Sequence, residues 1–220
     1  MFVARRMKKT IETVPPSASL LEAQGRMRGH HIRQVPVVSG DGTLLGIVSD
    51  RDIRAAVLPA GLIPGFTAEE AEKFMKNTPV ERVMTRKVVT ATLTDTLEDA
   101  IVLLHDFRVN ALPVVDAAGK VVGIITRTDV LEAFIEVLGV GEVSSRIEVV
   151  VPDRPGTLAQ VAAIIGSFHV NITSVLSTRH VEEGKRANFF RVATINIGPI
   201  RKAIEEEGFE ILDPSKFILP

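Results

Sequence analysis

The 220-residue chain has room for one or two domains, and its 45% hydrophobic, 24% charged composition is that of a globular protein with a sizeable core. A net charge of −1, with no run of five like charges, gives no footprint of a nucleic-acid or membrane-surface binder. No cysteine is present, which excludes disulfides, thiolate catalysis and Cys-ligated metals.

Met1–Lys8 holds no apolar segment of signal-peptide length, and no apolar run approaches the roughly 18 residues that cross a bilayer, so a cytoplasmic protein is expected. Ile11 and Thr13 begin a short extended stretch, which Pro15-Pro16 stops because proline cannot continue a ladder. Ser19-Leu20-Leu21-Glu22 matches a capping box, and Leu20, Ala23 and Met27 recur at helical spacing. Val35–Val38 and Leu44–Val48 predict two strands across an Asp41-Gly42 turn, with a helix opening near Asp52.

Pro59–Gly65 is rich in breakers and is expected as a loop, and Thr67-Ala68-Glu69-Glu70 caps a connector helix to about Lys76. The opening pattern then returns. Met7–Val57 aligns without a gap on Met84–Phe134, and 12 of the 51 pairs are identical, among them Thr13/Thr90, Pro36/Pro113, Gly42/Gly119, Gly46/Gly123 and Asp52/Asp129. The second copy carries its own capping box, Thr96–Asp99, strands Leu112–Val115 and Val121–Ile125, and a helix near Asp129. Each copy reads β-α-β-β-α. A unit repeated twice buries its apolar face against its twin, so a pseudo-twofold pair with clefts between the halves is expected.

Beyond Gly139-Val140-Gly141, Ile147, Val149 and Val151 alternate as a strand, Asp153–Gly156 turns the chain, and Leu158, Val161, Ala162 and Ile165 mark a helix. Strands follow over about Val170–Thr178 and Ala187–Ile197, then a helix opened by Pro199 and ended at Gly208, and a last strand at Phe209–Leu212. The order βαββαβ is the ferredoxin-like arrangement, so the fold class is α+β.

Thr13 with Pro36-Val37-Val38, Gly42 and Gly46–Asp52 resembles a CBS motif, and so does Thr90 with Pro113-Val114-Val115, Gly119 and Gly123–Asp129. Two in tandem resemble a Bateman module. Val149–Leu158, with Val170-Asn171-Ile172 downstream, resembles an ACT domain. The order is similar to that of acetoin-utilisation proteins of the AcuB type. The expected boundaries are residues 1–58 and 78–138 for the CBS repeats, 59–77 for the connector and 145–220 for the ACT domain.

The strand-to-helix junctions carry the chemistry. A helix N-terminus offers free N–H groups and partial positive charge to a phosphate, and the hydroxyls of Ser49 and Thr126 add donors. The carboxylates of Asp52 and Asp129 suit two adjacent ribose hydroxyls. On residue type alone the better reading of both aspartates is as helix N-caps, and that alternative stays open; the recurrence of Ser/Thr, Asp and the distant Thr at one offset is what favours the ligand. The resemblance implies that each cleft takes its threonine from one repeat and its aspartate from the other, Thr90 with Asp52 and Thr13 with Asp129. Arg33, Arg51, Arg108 and Arg127 are candidate phosphate partners. Asp50 stands where the second copy has Arg127, so unequal affinities are expected, with the Arg127 side more tolerant of phosphate. His30-His31 are adjacent on a helix, about 100° apart, and so form no chelating pair; no metal is expected.

The ACT resemblance implies amino-acid binding between two copies, at Asp153, Pro155, Gly156 and Asn171. A plain turn accounts for the first three residues as well. His169 stands where the family has glycine, which is costly if the backbone there needs positive φ. No nucleophile elbow, P-loop or metal cluster is present, so no enzyme and no catalytic cofactor is expected. The resulting expectation is a homodimeric regulator that binds an adenosine nucleotide and acts on an unidentified protein, with an empty-cleft scaffold as the alternative.

Overall fold

In the computed structural model, residues 1–61, 67–179 and 182–212 are described, and the chain divides into two compact units, Met1–Val130 and Leu131–Pro220. In the first unit, α1 (Leu20–Gly29) is followed by the hairpin β1 (Gln34–Val38) and β2 (Leu44–Ser49), and by α2 (Asp50–Gly61). The connector helix α3 (Ala68–Asn77) starts at the Thr67 capping box as expected. Its Phe74 and Met75 pack against the first repeat's core of Val14, Leu20, Val35, Val37, Val48 and Ile53. The second repeat adds β3 (Ala91–Thr92), α4 (Leu97–Asp106), β4 (Ala111–Val115) and β5 (Val121–Thr126), and α5 (Arg127–Val137) continues into the second unit.

Two expectations change here. The breaker-rich stretch does not open at Pro59, because α2 runs on to Gly61. A proline removes one helical hydrogen bond, and within the last turn that loss ends the helix a little later rather than at once. The rest of that loop, 62–66, lies outside the described residues. The first strand of each repeat is also vestigial: Val14 makes a single parallel bridge to Val37, and β3 has two residues beside β4.

The repeats exchange their opening segments. Val3 N–H donates to Asp95 O and Leu97 N–H to Met1 O, so the first turn of the chain caps α4 of the second repeat. The mirror contacts are Val80 N–H to Ala18 O and Leu20 N–H to Thr78 O. Lys8 then pairs with Ile124, and Thr85 with Ile47, each adding one rung to the other repeat's sheet. The hairpin turns meet at a Thr43–Lys120 bridge, a pair that maps onto itself under the repeat and so marks the pseudo-twofold axis.

In the second unit, β6 (Ser145–Pro152), α6 (Thr157–Gly166), β7 (Ile172–Arg179), β8 (Lys185–Val192), α7 (Gly198–Glu206) and β9 (Glu210–Ile211) form one antiparallel sheet of order β7-β8-β6-β9. That is the ferredoxin-like order expected from βαββαβ. Ile147, Val149, Val151, Phe190 and Val192 face Val161 and Ile165 of α6 and Ile200 and Ile204 of α7. β8 ends at Val192 rather than near Ile197, because both neighbours give out there: Ser145 of β6 and Ile172 of β7 are its last partners. Pro199 lies in the first turn of α7, and Gly208, at φ +84°, follows its end.

Candidate functional site

The two strand-to-helix junctions have one geometry. In the first, Asp52 Oδ2 accepts from Ser49 N–H at 2.8 Å and from its hydroxyl at 2.6 Å, and Asp52 N–H donates to Ser49 Oγ at 3.2 Å. In the second, Asp129 Oδ2 accepts from Thr126 N–H at 2.8 Å and from its hydroxyl at 2.6 Å, and Asp129 N–H donates back at 3.2 Å. Ser49 and Thr126 are therefore the caps, and the aspartates are the third helical residues of capping boxes. This rules out the alternative in which Asp52 and Asp129 are themselves the N-caps. Each box occupies one carboxylate oxygen and leaves the other, Oδ1, available for different work.

The second oxygens differ. Asp129 Oδ1 faces Lys8 Nζ at 3.4 Å, with the Asp129 side chain 5% exposed and that of Lys8 63% exposed. Asp52 is half-buried, and no described cation lies within ion-pair distance of it. Thr13 and Thr90, both half-buried, immediately precede the vestigial first strands. The Lys8 contact brings the first repeat's opening segment, which runs on to Thr13, against the junction of the second repeat. Thr85, paired to Ile47, does the reverse on the way to Thr90.

The arginines separate. Arg127 donates from Nε to Val109 O at 2.9 Å and from Nη2 to Leu104 O at 3.0 Å, so most of its fork closes the end of α4. Arg33, Arg51 and Arg108 are exposed. Asp50, the counterpart of Arg127, pairs with Arg54 at 3.0 Å. Beside Thr13, Arg26 donates to Thr13 O at 3.1 Å and reaches Glu12 at 3.5 Å, and His30 Nε2 lies 3.4 Å from Glu12. The second repeat has Val89, Leu103 and Phe107 in place of Glu12, Arg26 and His30, so one threonine has a charged surround and the other an apolar one. His30 caps the end of α1, and His31 lies beyond it at φ +53°, matched by Arg108 at φ +52°.

In the second unit, Asp153–Gly156 turns into α6 with Gly156 at φ +90°. Asp153 lies 3.7 Å from Arg186, Pro155 is exposed in the turn, and Asn171 is exposed at the entry to β7. His169 sits at φ +55°, the left-handed conformation in which glycine is cheaper.

Comparison with known proteins gives these sites a context. A family model described as the CBS domain matches residues 3–59 and 80–136, about half of the chain. The chain belongs to the CBS-domain family. A second model, the ACT domain, matches residues 145–208, so two CBS domains are followed by a C-terminal ACT domain. An uncharacterised protein of Methanocaldococcus jannaschii is 36% identical over 155 residues, covering 61% of this chain and 92% of that one. Among solved structures, CBSX2 in complex with AMP, a name it shares with a chloroplastic CBS protein of Arabidopsis thaliana, is 30% identical with a TM-score of 0.51, over 61% of this chain and 96% of that one. The CBS domain pair of protein MJ0100, in complex with 5′-methylthioadenosine and S-adenosyl-L-methionine, is 26% identical with a TM-score of 0.51, over 61% and 95%.

Two features of the CBS pair escaped the sequence reading. The boxes Ser49–Asp52 and Thr126–Asp129 have the same signature as those recognised at Ser19, Thr67 and Thr96, and could have been found by the same rule. The exchange of opening segments leaves a fainter trace, the identities Val3/Val80 and Arg5/Arg82 upstream of the aligned repeat. Among the described residues no helix is long and apolar enough to span a membrane, and no group of three potential metal ligands occurs.

Proposed function

We propose that this protein is a cytoplasmic, non-catalytic sensor whose CBS pair binds adenosine-containing nucleotides of the AMP, ADP or ATP class and passes the occupancy to a partner protein. The observation that carries this reading is the duplicated capping box. It fixes each carboxylate through Oδ2 and leaves Oδ1, which at Asp129 faces the exposed Lys8, as the oxygen that meets a ribose diol beside a helix N-terminus suited to phosphate. The relatives crystallised with AMP, and with 5′-methylthioadenosine and S-adenosyl-L-methionine, support the ligand class. Thr90 serves with Asp52 and Thr13 with Asp129, in keeping with the crossing of Thr85 and Lys8. Ser49 and Thr126 cap and donate. Arg51 and Arg108 supply exposed cations, and Arg127 contributes what its carbonyl contacts leave free.

The ACT domain serves as a dimerisation module, with Val175 and Leu176 exposed on the outer strand β7. Asp153, Pro155, Gly156 and Asn171 form an amino-acid site at that interface. A second reading, a scaffold with empty clefts, is favoured at one site only, where both oxygens of Asp129 are already engaged.

Thermal melting of ligand-free protein with AMP, ADP, ATP, S-adenosylmethionine and NAD tests the sensor. Ligand at about 100 times Kd adds roughly 2.7 kcal/mol of stability. Asp52→Asn and Asp129→Asn keep an acceptor for the cap and weaken the hold on the diol, so they should lose the ligand response while staying folded. Melting curves unmoved by every ligand would establish the scaffold.

A further inference from the structure

The repeat supplies its own control, because each residue at one cleft has a counterpart at the other. Lys8, whose ammonium sits 3.4 Å from Asp129 Oδ1, corresponds to Thr85, and Arg127 corresponds to Asp50. At Asp129 both carboxylate oxygens are engaged, Oδ2 by the capping box and Oδ1 by Lys8. At Asp52 only the box is present among the described residues, and the neighbouring charge at position 50 is negative.

We infer that Lys8 makes the Asp129 cleft more selective than the Asp52 cleft for adenosine ligands that carry phosphate. This rests on the nucleotide reading of the clefts given above. A ribose diol that takes Asp129 Oδ1 must displace the ammonium. A neutral nucleoside offers that ammonium no replacement, so the lost ion pair counts against binding. A 5′-phosphate re-pairs it, and the mostly exposed, flexible lysine stem lets Nζ move from one anion to the other. The number of ion pairs is conserved on binding AMP and falls by one on binding adenosine. At Asp52 neither ligand breaks an ion pair to a described residue, so phosphate there gains only from the helix N-terminus and the exposed Arg51, beside the negative Asp50. The same geometry moves phosphate selectivity from Arg127, whose guanidinium is held by the Val109 and Leu104 carbonyls, to a residue of the opposite repeat.

Calorimetric titration of the full chain with AMP and with adenosine tests this in two single-site backgrounds. Asp52→Asn leaves the second cleft to be read, and Asp129→Asn leaves the first. The affinity ratio of AMP to adenosine should be higher at the second cleft. Adding Lys8→Met there should lower the ratio by about fivefold, the scale of one exposed ion pair, with adenosine binding held or tightened. Adding Thr85→Lys at the first cleft should raise its ratio. A ratio unmoved by Lys8→Met while AMP still binds, or an equal loss of both ligands, overturns the role of Lys8 and leaves the sensor standing. Failure of the wild-type protein to bind AMP overturns this inference, and the sensor falls with it only if ADP, ATP, S-adenosylmethionine and NAD also fail to bind.

Discussion

A methyl group added at position 46 would stand 2.6 Å from Met84 Sδ and 3.0 Å from the Thr85 carbonyl oxygen. The duplicated glycine of each second strand is thus where the other repeat's methionine crosses the sheet: Met84 over Gly46, Met7 over Gly123. Overpacking of this kind costs about 1–3 kcal/mol. Met84 is buried and Met7 only half-buried, so Met7 has more room to give. Gly46→Ala should therefore destabilise more than Gly123→Ala in urea titrations, and equal losses would mean that the methionines are not what excludes the methyl. Acid sensitivity is also a single-residue matter. In the β1–β2 turn, the Ser39 hydroxyl and then the Thr43 hydroxyl and N–H donate to Asp41 and hold its carboxyl down, from 3.8 to about 2. A depressed folded value stabilises above the unfolded value and fades as pH falls through the folded one. Asp41→Asn should thus melt below wild type at neutral pH, with the gap closing between pH 3.8 and about 2. A gap constant over that range would show that the turn gains nothing from the charge.

At the level of elements, the junction helices α2 and α5 each begin on a hydroxyl that caps and is itself held by the aspartate it caps against. Removing the hydroxyl removes both halves of that exchange. Ser49→Ala and Thr126→Ala should each cost about 1 kcal/mol, read as a shift of the denaturation midpoint. β8 contains the opposite case. Asn188 lies on the sheet face that carries Phe190 and Val192, almost fully buried, and its Oδ1 has no hydrogen-bond partner among the described residues. Orphaning a buried acceptor costs about 1–3 kcal/mol, so Asn188→Leu should leave stability unchanged or raise it; a marked loss would mean that the amide has a role that packing does not reveal. Elements whose ends are written in local chemistry were legible in the sequence: α3 and α4 from their capping boxes, the close of α7 from Gly208. Ends set by a distant partner were not. β8 stops at Val192 because β6 and β7 supply no further partner, and no residue in Ala193–Ile197 announces that.

For the molecule as a whole, the duplication was legible and the exchange within it was not. Periodicity places Thr13, Asp52, Thr90 and Asp129 in register, yet which halves meet is decided by residues 1–8 and 78–85, whose identities Val3/Val80, Arg5/Arg82 and Met7/Met84 mark a duplicated segment without showing that it crosses to the opposite repeat. These segments bind each repeat to the other's sheet, and fully buried Val3 and Val80 anchor them. Burying one valine contributes about 1.5–3 kcal/mol, and the bridge at Lys8–Ile124 adds to it. Deleting residues 1–8 should therefore loosen the second repeat, although the deletion falls in the first. Native-state hydrogen exchange reads this directly, since local opening follows the loss of local contacts. The amides of Leu97 and Ile124, which donate to Met1 O and Lys8 O, should lose protection. Those of Leu20 and Ile47, which donate to Thr78 O and Thr85 O, should keep it because their partners remain. Protection lost equally in both sets would make the pair one cooperative unit in which the exchanged segments have no separate role. Loss confined to Leu97 and Ile124 would mean that each cleft depends on the opposite repeat's opening segment, the dependence on which the pairing of Thr13 with Asp129 and of Thr90 with Asp52 rests.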